Sequence, residues 1–79
     1  MKTTDYTPIP CARYDVYEIA IRRRRRLRLS WEEHGRAHCE AVTPLDLETR
    51  AGAEYLVARG ADGSARRLRL DRIRAAEAL

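Results

Sequence analysis

At Arg25 the spacing of apolar residues changes from the helical period of 3.6 to the strand period of 2. Before that point Val16, Ile19 and Ala20 fall on one side of a helical wheel with Tyr17 at its edge, while Asp15, Glu18 and Arg22 share the opposite side and Tyr14 borders it. After it, Leu27, Leu29 and Trp31 alternate with Arg26, Arg28 and Ser30. A chain patterned in this way is expected to form one short amphipathic helix followed by antiparallel strands.

Local punctuation sets the boundaries. Pro8 and Pro10 keep the opening segment extended, because proline lacks a donor and disfavours helix in the residue before it. The helix is then predicted at about 11–23, with its Val16, Ile19 and Ala20 face docked on a core, since so short a helix does not persist alone in water. On its other face Glu18 is spaced to pair with Arg22 at i,i+4. Strands are predicted at about 25–31, 36–42, 53–59 and 65–73. Glu32–Gly35, Ala51-Gly52 and Gly60–Gly63 supply the turns between strands. Alternation turns Ala37, Cys39 and Ala41 inward on the second strand, which Pro44 is expected to end. The tail 74–79 fits a short helix, an edge strand or a frayed end. This order of elements predicts a mainly β fold, a small Sm-like or OB-like antiparallel barrel with an N-terminal helix over one end, as a single domain across residues 1–79.

A chain of 79 residues buries a modest core and leaves little room for a deep catalytic cleft. No apolar run reaches the roughly 18 residues of a membrane span, and Met1–Pro10 lacks the apolar stretch of a signal peptide, so a soluble cytoplasmic monomer is expected. Cys11 and Cys39 are read as reduced, mostly buried thiols. His34, His38, Cys11 and Cys39 lack ligand spacing, so no metal and no cofactor is expected. No nucleophile motif is present, and the chain is read as non-enzymatic.

The net charge of +4 is unevenly distributed: residues 22–28 hold six arginines, and the rest of the chain is slightly acidic. Arg23, Arg24, Arg26 and Arg28 are candidates for contact with an acidic surface or RNA phosphates, because guanidinium groups bind phosphate oxygens in pairs and release counterions. The same residues also suit a helix C-terminus and the solvent side of a strand, where cations offset the helix dipole and guard a sheet edge. Periodicity alone leaves both readings open.

Two ordered stretches carry a family resemblance. Tyr6-Thr7-Pro8-Ile9-Pro10-Cys11 leading into Tyr14-Asp15 and Glu18, and Glu54-Tyr55-Leu56-Val57 followed by Arg67-Leu68-Arg69-Leu70-Asp71-Arg72-Ile73, together resemble the Rho-binding antiterminators, small bacterial modulators of Rho-dependent termination. The resemblance implies a non-enzymatic inhibitor that covers the primary RNA-binding site in the N-terminal domain of the termination factor Rho. It implies partner contacts at Tyr14, Asp15, Glu18 and Arg50, with direct nucleic-acid binding weak or absent. The alternative is an Sm-like or OB-like module that binds RNA through Arg22–Arg28 and Arg66–Arg74.

Overall fold

The computed structural model describes residues 5–79. The helix α1 spans Cys11–Arg23, and the strands are β1 (Leu27–Glu33), β2 (Arg36–Arg50), β3 (Ala53–Arg59), β4 (Ala65–Arg69) and β5 (Ile73–Ala78), with a 3-10 turn at Leu70–Arg72 between the last two. The strands form one antiparallel sheet in the order β4-β3-β2-β1-β5. The mainly β fold with an N-terminal helix therefore stands. Closure into a barrel does not: among the described residues β4 and β5 each keep an unpaired edge, and a groove of about 640 Å³ lined by Trp31, His38, Glu40, Arg66 and Leu68 separates β4 from the β1–β2 hairpin.

The strand ends depart from expectation where turn and strand chemistry compete. His34-Gly35 and Ala51-Gly52 form turns with positive φ at both residues (54° and 74°, 50° and 81°), the handedness that matches strand twist in two-residue hairpins. The first turn is thus shorter than Glu32–Gly35, and β1 runs on to Glu33. Pro44 does not end β2. There the strand exchanges one partner for another, pairing with β1 through Val42 and with β3 from Thr43 onward, and a bulge at Leu45 relieves the register. Proline is tolerated at bulges because the ladder is already broken there. The expected 65–73 strand is split by the 3-10 turn, and residues 73–78 of the tail region become an edge strand.

Leu27, Leu29, Val42, Leu56, Leu70 and Ile73 are fully buried under Tyr17 of α1. The buried stripe of the helix is Tyr17 and Ala20 with half-buried Arg13, Tyr14 and Ile21, while Val16 and Ile19 are 39% and 45% exposed. The expected Val16/Ile19/Ala20 face is therefore rotated toward Tyr17, whose ring buries more apolar area than either aliphatic residue. On β2 the phase is also shifted by one. Residues directly opposite in an antiparallel pair share a face, and Leu27, Leu29 and Trp31 face Val42, Glu40 and His38. Ala37 and Cys39 consequently point outward, and both Cys11 and Cys39 are exposed free thiols rather than buried ones.

Candidate anion-binding interface

The last turn of α1 ends in a left-handed residue that is not glycine. Arg24 has φ 55° and ψ 42°; its N–H donates to the Ile21 carbonyl, and that of Arg25 donates to the Ala20 carbonyl. This is the paired-bond termination that most often uses glycine at the left-handed position. It turns the chain sharply so that β1 begins under the helix. Arg22–Arg26 and Arg28 are thereby gathered, all exposed, on the helix end and the outer side of β1. Arg25 donates to the Leu79 carbonyl at 3.0 Å. Among the described residues none of these six arginines forms an ion pair, and neither do Arg36, Arg50 and Arg59.

The C-terminal arginines behave differently. Arg66 meets Glu40 through two nitrogens at 3.1 and 3.2 Å, and Arg67 meets Glu48 at 2.9 Å. Arg69 holds Asp71 at 2.8 and 2.9 Å and Asp5 at 2.9 Å. Arg72 lies 3.8 Å from Asp5, and Arg74 lies 2.7 Å from Glu32. The hydrogen bond from Arg69 holds the Asp71 carboxyl below the usual carboxylate range, and Arg66 does the same to Glu40. These guanidinium groups are committed to the scaffold, tying β4 to β2 and the N-terminal segment to the 3-10 turn.

On the helix, Tyr14 and Glu18 line a cleft with Ile21, Arg22, Asp46 and Leu47. Burial, then the charges of Glu54 and Glu18, push the Tyr14 hydroxyl up. Asp15 is exposed outside that cleft, and Arg50 is exposed at the end of β2. The structure thus brings Tyr14 and Glu18 together, and places neither Asp15 nor Arg50 in their cleft. The i,i+4 ion pair expected between Glu18 and Arg22 does not form. Burial and a hydrogen bond to Glu54 at 3.2 Å push the Tyr6 hydroxyl up to about 12. Among the described residues no group of three or more His, Cys, Asp or Glu is placed to hold a metal ion. No helix of the described residues is long and apolar enough to cross a membrane.

Sequence reasoning missed Arg59. It is exposed and unpaired at the end of β3, directly opposite Thr43. The signal available was Thr43-Pro44, a proline inside an otherwise strand-like run, which marks a bulge when the strand continues past it.

The comparisons fit this architecture. The chain is similar over 96% of its length to proteasome accessory factor B/C (PafBC) of Arthrobacter aurescens, at 25% identity and a TM-score of 0.79, and spans 13% of that protein's chain. No curated protein matches it. The family match is not to the Rho-binding antiterminators that the two ordered stretches resemble. Residues 14–78 match the WYL domain, and the chain belongs to that family.

Proposed function

We propose that this WYL domain is a non-enzymatic regulatory module that binds a polyanionic partner, nucleic acid above all, through Arg22, Arg23, Arg24, Arg26 and Arg28. The carrying observation is the division between the two arginine sets: those of β4, the 3-10 turn and β5 are neutralised by carboxylates, and those at the α1–β1 junction are not. Unpaired, exposed guanidinium groups can exchange counterions for phosphates without first breaking an ion pair. WYL domains occur in regulators that bind nucleic acids or ligands, which supports the reading. The test is fluorescence anisotropy with labelled single-stranded and duplex oligonucleotides across a salt series. Arg23→Ser, Arg26→Ser and Arg28→Ser together should abolish binding under conditions where the wild type binds. At lower salt, the slope of log K against log salt should shrink by about 0.7–0.9 for each phosphate no longer neutralised. Undiminished binding by that variant refutes the assignment.

The resemblance to Rho-binding antiterminators supports a second reading, in which Tyr14, Asp15, Glu18 and Arg50 meet Rho and block RNA capture. Its favouring observation is that Asp15 and Glu18 are exposed and unpaired among the described residues. Arg22 and Arg23, one turn further along α1, put like charge against a basic RNA-binding groove, so this reading ranks second. Termination by Rho in vitro decides it: a wild-type protein that leaves termination unchanged, or Asp15→Arg with Glu18→Arg that inhibits as well as wild type, removes it.

A further inference from the structure

The open edges of the sheet differ in what guards them. β4 presents Arg66, Arg67 and Arg69, and a strand so charged repels a second copy of itself. β5 reads Ile73-Arg74-Ala75-Ala76-Glu77-Ala78, small apolar residues set between one cation and one anion. Its outer edge has no partner strand among the described residues. Apolar side chains collect at the same place. Of the exposed large hydrophobics Val16, Ile19, Leu45 and Leu79, all but Leu45 lie here. Val16 and Ile19 line a cleft of about 180 Å³ with Ala20, Arg25, Leu27 and Ala78, and Leu79 follows Ala78 with its N–H donating to the Arg26 carbonyl at 3.0 Å.

The charges of β5 share one face. Glu77 stands opposite Arg28 of β1 and Ala75 opposite Ser30, while Arg74 is the extra residue of a bulge between Ser30 and Trp31. Opposed residues share a face, so Glu77 and Ala75 lie on the side away from buried Leu27 and Leu29. Arg74 reaches Glu32 on that same side, at 2.7 Å. Glu77 forms no ion pair among the described residues. An antiparallel strand of the same sequence centred on Ala76 sets Ala75 against Glu77 and brings Arg74 next to Glu77, once on each side of the axis. The strand is therefore complementary to itself. A guanidinium carries five donors, so Arg74 can hold Glu77 of a second copy while keeping Glu32. Ala76 meets Ala76 on the axis, where no long side chain obstructs the approach.

We propose that β5 is a dimerisation edge: two copies of this chain join antiparallel through β5 about a twofold at Ala76, with Arg74 of each paired to Glu77 of the other. The second copy then passes beside Ala78 and covers the mouth of the Val16–Ile19 cleft. A ladder this short is marginal alone, so the apolar cover is needed and association depends on concentration. The monomer expected from sequence is the dilute form.

Sedimentation equilibrium of the full chain, from micromolar to millimolar concentration, tests this. The wild type should pass from monomer to dimer. Glu77→Arg and Arg74→Glu should each stay monomeric alone, because each sets like charges together on both sides of the axis. Mixed in equal amounts they should associate, since every contact across the axis then joins opposite charges, and that recovery also shows both chains to be folded. Glu77→Gln should weaken the dimer several-fold, and Val16→Ser with Ile19→Ser should weaken it by about tenfold or more. A wild type that stays monomeric at millimolar concentration, or that forms species larger than a dimer, overturns the proposal. So does dimerisation untouched by Glu77→Gln, or a mixture of folded charge-reversed chains that stays monomeric. The variant lacking Arg23, Arg26 and Arg28 should still dimerise while losing oligonucleotide binding, so each proposal fails separately.

Discussion

Trp31 and His38 face each other across β1 and β2 with ring centroids 5.3 Å apart and planes 15° from parallel. The indole is 5% exposed, so the imidazole forms part of its lid over the groove beside β4. Stacked aromatic pairs contribute about 0.5–1.5 kcal/mol beyond the area they bury. His38→Ala should therefore lower stability by about 1 kcal/mol and, since Trp31 is the single tryptophan, shift the intrinsic fluorescence to the red. Unchanged emission would show that the indole does not depend on this cover.

The Tyr17 side chain is fully buried, and its hydroxyl makes no hydrogen bond of good geometry, although the Arg13 guanidinium beside it works against the upward push of burial. An unsatisfied buried hydroxyl costs about 1–3 kcal/mol. Tyr17→Phe is expected to be neutral or stabilising by about 1 kcal/mol, and Tyr17→Ala to lose about 3–5 kcal/mol. Denaturant melts of both variants check the pair.

Ala51 sits at φ 50° in the two-residue turn between β2 and β3. Asparagine tolerates this conformation far better than alanine, so Ala51→Asn should raise stability by about 0.5–1 kcal/mol without altering any partner contact. A lowered melting temperature would contradict the turn geometry.

Asp71 is depressed by its hydrogen bonds from Arg69 and is 9% exposed at the side chain. A carboxyl whose folded value lies below its unfolded value stabilises the fold fully above the unfolded value, and that contribution is lost as pH falls through the folded one. The acid limb of unfolding should therefore steepen below the ordinary carboxylate range near 3.8. Asp71→Asn should be less stable at neutral pH and show a flatter acid limb, measured by circular dichroism at stepped pH.

Val16 and Ile19 lie outside the buried stripe, beside a small apolar cleft with Leu27 and Ala78. Replacing either by Ser should cost much less than the roughly 2–5 kcal/mol of a core truncation. Thermal melts of Val16→Ser and Ile19→Ser against Leu29→Ala provide the comparison.

The strand with the clean alternation was legible in sequence: Leu27, Leu29 and Trp31 are buried as their period requires. So were the helix span, the turn positions and the place of Arg22–Arg24 at the helix end. The inward phase of β2 was not, because small and polar residues alternate there without contrast, and only pairing to β1 decides which set faces the core. The helix face was misjudged because an aromatic at the wheel's edge outweighs two aliphatic residues once it reaches the core. Candidate residues were legible as types, yet whether an arginine is free or paired depends on carboxylates as distant in sequence as Glu40 from Arg66. No local pattern carries that information.

β2 donates its first half to one ladder and its second half to the other, with the exchange at Val42–Thr43. Neither hairpin can open fully without unsettling the strand on which the other depends. Hydrogen exchange should accordingly find one cooperative unit, with the slowest amides around this crossover and the fastest at the β1–β2 tip, where Glu32–Cys39 is exposed throughout.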